Sequence, residues 1–377
     1  AVTMKNKVLI VSNPLNHEGG IVNYYNLYFK YFESNDFELK HFTIGSRAFL
    51  FYRPFLKKIL YPVYYFFDYF RFVITLLLDT KIKIIQLNPS LIPVPLIRDG
   101  LLLFTAKLFG KKVIVFYRGW KLQVFSKLHS NEFLKKMFNW LYQKGTQQIV
   151  LASSFKSNLL KLGEPTLPII ITTTAIEKSE IVIKEKGTDE RLNILFLGRI
   201  QNLKGIEEIV DAIIQLKDEN KLKYFRFTFV GHEIRVGYIQ SLQEKLSQNQ
   251  IYDDQVSFKG RITGQEKYEI YALHDIYLLP SYTEGCPNSV LEALASGLFC
   301  ITTNVGALND IIKNGKNGVL IQKKSSADIV NALLYCQSNK EVLNFRIENA
   351  TLYSNEYDIR KRIFDFNNIY SQLTYAK

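Results

Sequence analysis

SYTEGCPNSVLEALASG, residues Ser281 to Gly297, follows directly on the apolar run DIYLLP, Asp275 to Pro280. That run is short enough for a buried strand. The apolar positions after it, Val290, Leu291, Ala293, Leu294 and Ala295, are spaced as one side of a helix. The segment therefore reads strand, tight turn, helix. Glu284 falls in the turn past the strand's C-terminal end, and Glu292 a little over one turn into the helix, so both carboxylates can border one cleft. Pro287 suits a first helical turn, and Asn288 and Ser289 suit a cap. Backbone N–H groups at a helix start point outward, where they can hold an anion or sugar oxygens. Two carboxylates beside such a start suit a polyhydroxylated ligand with a negative tail, which describes a nucleotide sugar.

The same strand–helix alternation runs from end to end and predicts a parallel α/β protein. In the first half strands are expected at Val8–Val11, Leu39–Thr43, Ile82–Leu87, Lys112–Phe116, Gln148–Leu151 and Ile169–Thr172, with helices such as Ile21–Phe32 and Leu96–Phe109 between them. Lys178–Arg191 (KSEIVIKEKGTDER) is charged and without apolar rhythm, and reads as a linker. Beyond it strands are expected at Ile194–Leu197, Arg226–Val230, Gln255–Phe258, Ile276–Leu279, Cys300–Thr302 and Gly318–Leu320, then one helix over Asn355–Leu373.

The 377 residues suffice for two domains, and 47% hydrophobic residues exclude a disordered chain. Three cysteines, Cys286, Cys300 and Cys336, are widely spaced; they fit neither a disulfide framework nor a zinc site, and point to a reducing cytosol. The first residues lack a signal-peptide layout, and Met4 reads as the natural start. The net charge of +13 lies entirely in the first half: residues 1–180 hold 24 Lys and Arg against 11 Asp and Glu, the remainder 24 against 24. An anionic partner for the first half follows, either a membrane surface or a phosphate-bearing substrate. No helix-turn-helix, zinc or RNA-recognition pattern supports a nucleic-acid partner.

Phe49–Phe72 departs from ordinary α/β texture, with twelve Phe or Tyr residues among Arg53, Lys57, Lys58 and Arg71. Pro62, Asp68 and Arg71 break the apolar run that a membrane-crossing helix needs. Two readings remain: an interfacial helix lying on a membrane, or a core helix with snorkelling lysines.

The Glu-x7-Glu pattern, preceded by Pro-Ser and followed by Ala-Ser-Gly, resembles the donor-site signature of glycosyltransferase family 4. LNILFLGRIQNLKGIEEIVDAI (Leu192–Ile213), FTFVGH (Phe227–His232), VSFKGRI (Val256–Ile262) and GKNGVLI (Gly315–Ile321) match the family in order, so the resemblance covers roughly Leu192 to Ile321. It implies the GT-B architecture: two Rossmann-like domains facing across a cleft, here 1–180 on the acceptor side and 192–354 for the nucleotide sugar, with 355–377 crossing back to the first domain. It also implies a retaining enzyme that moves a hexose or N-acetylhexosamine from a UDP- or GDP-sugar to a glycan or lipid-linked glycan, at the cytoplasmic face of a membrane. No cofactor is implied, and with no DxD pattern in a suitable loop no divalent ion is invoked.

By the same resemblance, Arg199 and Lys204 would converge on the diphosphate, and Gly19 and Gly20 would form the first-domain loop that approaches it. Glu292 would accept from the ribose hydroxyls and Glu284 from the donor sugar. Backbone amides of Gly285, Cys286, Pro287 and Asn288 would complete the grip, and Arg261 and Ile262 would flank the base. One departure concerns the strand end Tyr117-Arg118-Gly119-Trp120, where many relatives carry a histidine facing the donor sugar. Arg118 there could bind a phosphate or a sugar carboxylate, or pair with a first-domain acid. His17, beside the glycine loop, is either an acceptor-side group or a solvated histidine. Two other classes fit the same motifs: another GT-B enzyme such as a nucleotide-sugar epimerase, and a catalytically silent glycan- or membrane-binding relative.

Overall fold

Strands buried on both faces are continuous runs of Ile, Val, Leu and Phe rather than alternating patterns, and this is why they can be read directly from the chain. The structure, a computed structural model, describes residues 5–16, 19–45, 54–183, 191–344 and 346–375, with the backbone alone at 54–59 and 62. Met4, His17, Phe51 and Arg53 lie outside the described residues, as do the side chains of Phe55, Lys57 and Lys58.

The chain divides into two units, Ala1–Thr173 together with Ile359–Lys377, and Thr174–Asp358. In the first unit the strands are β1 (Asn6–Ser12), β2 (Phe37–Thr43), β3 (Ile82–Leu87), β4 (Ser90–Leu91), β5 (Lys112–Phe116), β6 (Gly119–Trp120), β7 (Gln147–Val150) and β8 (Ile170–Ile171). Six of them form one parallel sheet in the order β2-β1-β3-β5-β7-β8, while β4 and β6 make a separate short pair. Val8, Leu9, Ile10, Ile84, Ile85, Ile114 and Val115 are buried at its centre. The second unit holds β9 (Leu192–Leu197), β10 (Phe225–Val230), β11 (Val256–Lys259), β12 (Ile276–Leu279), β13 (Phe299–Thr303) and β14 (Gly318–Ile321). They too form one parallel sheet, ordered β11-β10-β9-β12-β13-β14. The fold class is thus α/β, with two doubly wound sheets.

Two expectations are corrected. The linker expected at Lys178–Arg191 lies partly outside the described residues, at 184–190, and the division falls earlier, at Thr173/Thr174. Ala175 and Ile176 are already buried in the second unit, and the Thr174 hydroxyl donates to the Cys286 carbonyl at 3.3 Å. The single helix expected over Asn355–Leu373 is two, Arg346–Glu356 and Ile359–Tyr375. At the break the Tyr357 carbonyl accepts from Ile176 N at 2.9 Å and Asp358 bridges to Ile176, so an extended pairing takes the backbone groups a helix would use. The second helix belongs to the first unit. Its Phe366 ring lies 5.7 Å from Tyr28, and its Tyr370 hydroxyl meets the Tyr28 hydroxyl at 3.0 Å and donates to Gln86 at 2.9 Å.

The aromatic segment forms a helix, Pro54–Leu78, that runs through Pro62. Both readings keep support in its burial: Phe72 and Leu76 are buried, as in a core helix, while other rings of the same helix are exposed. Asp68 is buried, accepts from Gly45 N at 3.1 Å and pairs with Arg71 at 3.1 Å. Phe66, Phe67 and Phe70 face outward instead, and Phe67 is 63% exposed, whereas Tyr64 is half-buried. Among the described residues no helix is long and apolar enough to cross a membrane.

In the second unit Gly205 has φ +72°, and a Cβ there would stand 2.3 Å from the Pro280 carbonyl oxygen. Gly205→Ala should therefore lower stability by about 1–3 kcal/mol through strain and overpacking. Urea denaturation followed by circular dichroism checks this; an unchanged midpoint would contradict the contact.

Candidate functional site

Open parallel sheets bind ligands outside the carboxyl ends of their strands, where the strand order reverses. In the second unit that point lies between β9 and β12. After β9 the chain passes through Gly198 and Arg199 into a tight turn, Asn202–Lys204, then Gly205 and the helix Ile206–Asp218. The neighbouring loop packs so closely on Gly198 that a Cβ on Gly231 would fall 1.8 Å from its carbonyl oxygen. After β12 the chain is tied to the same turn, since Tyr282 N donates to the Leu203 carbonyl at 3.0 Å.

These ties bring Lys204 and Glu284 together. Lys204 Nζ lies 2.5 Å from Glu284 Oε1, and both side chains are largely buried. The sequence reading sent one to a diphosphate and the other to a sugar; the structure pairs them with each other. Arg199 is exposed and has no ion pair among the described residues. Arg261 is exposed and Ile262 half-buried in the loop after β11.

The turn between Glu284 and the next helix is held by its carbonyls. Gly285 O accepts from Ala307 N at 2.8 Å, and Cys286 O from Thr174. Gly306, at φ +55°, leaves room for the Glu284 carbonyl, which a Cβ would approach to 2.3 Å. With the carbonyls engaged, the helix Asn288–Ala295 begins with Pro287 as its cap, not with Asn288 or Ser289, and no side chain covers its first turn. Proline has no N–H, so the expected grip from residues 285–288 narrows to Gly285, Cys286 and Asn288.

Glu292 is 8% exposed. Lys267 Nζ lies 2.7 Å from Oε1, and the Tyr271 hydroxyl donates to Oε2 at 3.0 Å. Burial, then the adjacent carboxylate, hold the Tyr271 phenol well above the usual tyrosine range, so it remains a donor. Lys267 and Tyr271 escaped the sequence reading. Their i, i+4 spacing puts them on one face of the helix Gly264–Ala272, but nothing in the sequence says that Glu292 meets that face. Tyr282, also missed, donates to Glu208 Oε1 at 2.5 Å, and burial followed by that hydrogen bond pushes its pKa to about 12.

In the first unit Gly19 caps the helix Gly20–Tyr31 with φ +142°, and no side chain caps that helix. Among the described residues, a Cβ on either glycine would meet nothing within 4 Å. Arg118, just past β5, is 7% exposed. Its guanidinium lies 4.1 Å from the Tyr24 ring centroid and 4.4 Å from that of Phe116. Among the described residues no first-domain acid pairs with it, since Nε, Nη1 and Nη2 all lack hydrogen-bond partners.

Residues 191–339 match the family model for Glycosyl transferases group 1. The match lies wholly within the second unit and takes in Arg199, Lys204, Glu284 and Glu292. An uncharacterized glycosyltransferase of Methanocaldococcus jannaschii is 24% identical over 243 residues, 62% of this chain and 60% of its own length. The UDP-Gal:alpha-D-GlcNAc-diphosphoundecaprenol alpha-1,3-galactosyltransferase of Escherichia coli is 34% identical over 104 residues, 27% of each protein. The matched stretches thus span 60% or less of these relatives. HepE of Anabaena, solved in complex with UDP, has a TM-score of 0.72 at 13% identity, covering 97% of this chain and 100% of that one. That likeness gives the fold, which is of the GT-B class.

The Tyr271–Glu292 contact makes a structural prediction. Tyr271→Phe removes one donor from a buried carboxylate and should cost about 1–3 kcal/mol. The measurement is the urea midpoint at neutral pH; a loss too small to resolve would mean that Glu292 does not depend on this bond.

Proposed function

We propose that the protein is a retaining glycosyltransferase that moves a hexose or N-acetylhexosamine from a nucleoside-diphosphate sugar to a glycan acceptor. The observation that carries this reading is the meeting of Lys204 and Glu284 at the switch point of a sheet that matches Glycosyl transferases group 1. Departure of a nucleoside diphosphate builds negative charge, and fixed cations and helix starts stabilise it best where water is excluded. Lys204 would leave Glu284 for the diphosphate, with Arg199 joining it, and Glu284 would be released to accept from donor-sugar hydroxyls. Each Glu292 oxygen has one protein donor and lone pairs to spare, which suits the two hydroxyls of a ribose. Attack from the leaving-group side, with the departing phosphate taking the acceptor's proton, accounts for retention without a protein nucleophile.

Uridine as the base is supported by HepE, a fold relative solved with UDP, and by the E. coli relative, whose name specifies a UDP-galactose donor and a diphosphoundecaprenol-linked acceptor. A lipid-linked glycan acceptor is proposed on the same footing. Calorimetry with UDP tests the two acids separately. Glu292→Ala should weaken UDP binding roughly tenfold, about 1.4 kcal/mol. Glu284→Ala should leave UDP affinity equal or tighter, because it frees Lys204, while transfer from the UDP-sugar is lost. The reverse pattern would exchange or sink the two roles. Loss of UDP binding in neither variant, with no transfer from any nucleotide sugar, would favour a silent relative.

A second reading concerns the first unit and a membrane. The helices Pro54–Leu78 and Pro93–Leu108 are tied by the Tyr69 and Thr105 hydroxyls at 3.0 Å, and Phe104 lies 6.1 Å from Trp140 in the next helical turn. Their outer positions Phe66, Phe70 and Ile74, then Ile97, Leu101 and Leu108, recur at near-helical spacing and are exposed, as is Trp140. So large an apolar face in the unit that carries the whole charge excess suits the inner face of an anionic membrane. The chain should sediment with anionic liposomes more than with neutral ones, and less as salt rises. Phe67→Ser with Phe70→Ser should reduce this and leave UDP binding intact. Equal sedimentation with both liposome types would end the membrane reading.

A further inference from the structure

Arg118 is a cation the protein has buried and not satisfied. Its guanidinium lies over Tyr24 and near the Phe116 ring, and those ring faces offset part of the charge. They cannot serve its five N–H donors, which radiate in the guanidinium plane. Among the described residues none of its three nitrogens has a hydrogen-bond partner. Asp365, which acts electrostatically on the same Tyr24, is engaged by Arg362 at 3.2 Å. The position is held firmly from behind: Arg118 N donates to the Pro89 carbonyl at 3.0 Å, and β6 packs on β4 so closely that a Cβ on Gly119 would stand 2.7 Å from Ser90 Oγ. A buried cation without a partner, held rigidly at the carboxyl end of a central strand, has the form of a receptor.

A second feature points the same way. Tyr24 belongs to the second turn of the helix that starts at Gly20, so the guanidinium stacks on a ring carried by that helix. Among the described residues the helix start has no side-chain cap, and none stands within 4 Å of a Cβ at Gly19 or Gly20. A helix start and a guanidinium fork favour the same guest, a planar or tetrahedral oxyanion that accepts two parallel N–H bonds.

We propose that Arg118 binds an oxyanionic group, a carboxylate or a phosphate, carried by a substrate, and so selects acidic substrates over neutral ones. The site lies wholly in the first unit and does not rest on the donor reading of the second.

Thermal denaturation of the full chain tests this with inorganic phosphate, glucuronate and neutral glucose, each at ionic strength matched with sodium chloride. Phosphate or glucuronate should raise the melting temperature by several degrees and glucose should not; the more effective anion identifies the source of the charge. The shift should vanish in Arg118→Gln, shrink in Arg118→Lys, which keeps the charge but not the fork, and persist in the double variant Arg199→Ala, Lys204→Ala. Without ligand, Arg118→Gln should melt at or above the parent temperature, since it removes an unpartnered buried charge. Four results would each overturn the proposal: no anion-specific shift in the parent; a full shift retained in Arg118→Gln; a shift lost only in the double variant, which would place the anion in the second unit; or a large loss of unliganded stability in Arg118→Gln, which would make the guanidinium a packing element. The donor reading is judged apart, by UDP binding that survives Arg118→Gln and fails in the double variant.

Discussion

The contact between Gly205 and the Pro280 carbonyl sets the spacing of everything around the second unit's switch point. A left-handed residue ends the turn after β9 and lets its backbone press against the chain leaving β12. With a Cβ in that space the two loops would separate, and the Tyr282–Leu203 bond and the Lys204–Glu284 pair would have to lengthen. Gly231 under Gly198 and Gly306 under Glu284 repeat the device on either side. The site is thus a set of backbone close approaches, and its charged side chains are carried into place by them.

The charges are treated differently in the two units. In the second unit each important carboxylate already has protein donors: Lys204 for Glu284, Lys267 and Tyr271 for Glu292. An incoming ligand there exchanges one partner for another, which limits the desolvation cost of either state. In the first unit Arg118 has ring faces and no acceptor, so a ligand would supply what is missing rather than replace what is present. The helix Pro54–Leu78 of the same unit buries Asp68 along with Phe72 and Leu76, and leaves Phe66, Phe67 and Phe70 outside. A buried carboxylate bonded to Gly45 N and Arg71 is stable enough; an outward row of phenylalanines, packed mainly on one another, is the kind of patch that marks an interaction surface.

The strands were legible because a strand covered on both faces has no choice but to be apolar throughout, and Ile82–Leu87, Lys112–Phe116 and Ile276–Leu279 form as read. Other ends differ by only a residue or two, since charge and glycine mark where burial stops. The positions of Glu284 past a strand and Glu292 within a helix follow from spacing alone. The break at Tyr357–Asp358 was not legible: both flanks have helical texture, and what ends the first helix is a pairing with Ile176, nearly two hundred residues away.

The sequence by itself determined a strand–helix alternation of parallel α/β type in both halves, the motif order that resembles a nucleotide-sugar site, and a charge excess confined to the first half. Each is a local property: periodicity, glycine placement or composition. Tertiary structure decided which charges have partners. Lys204 closes on Glu284, Lys267 and Tyr271 close on Glu292, and Arg118 closes on nothing but aromatic rings. Pairing depends on which loops meet across neighbouring strands, and strand order is fixed by contacts remote in sequence that no local pattern records.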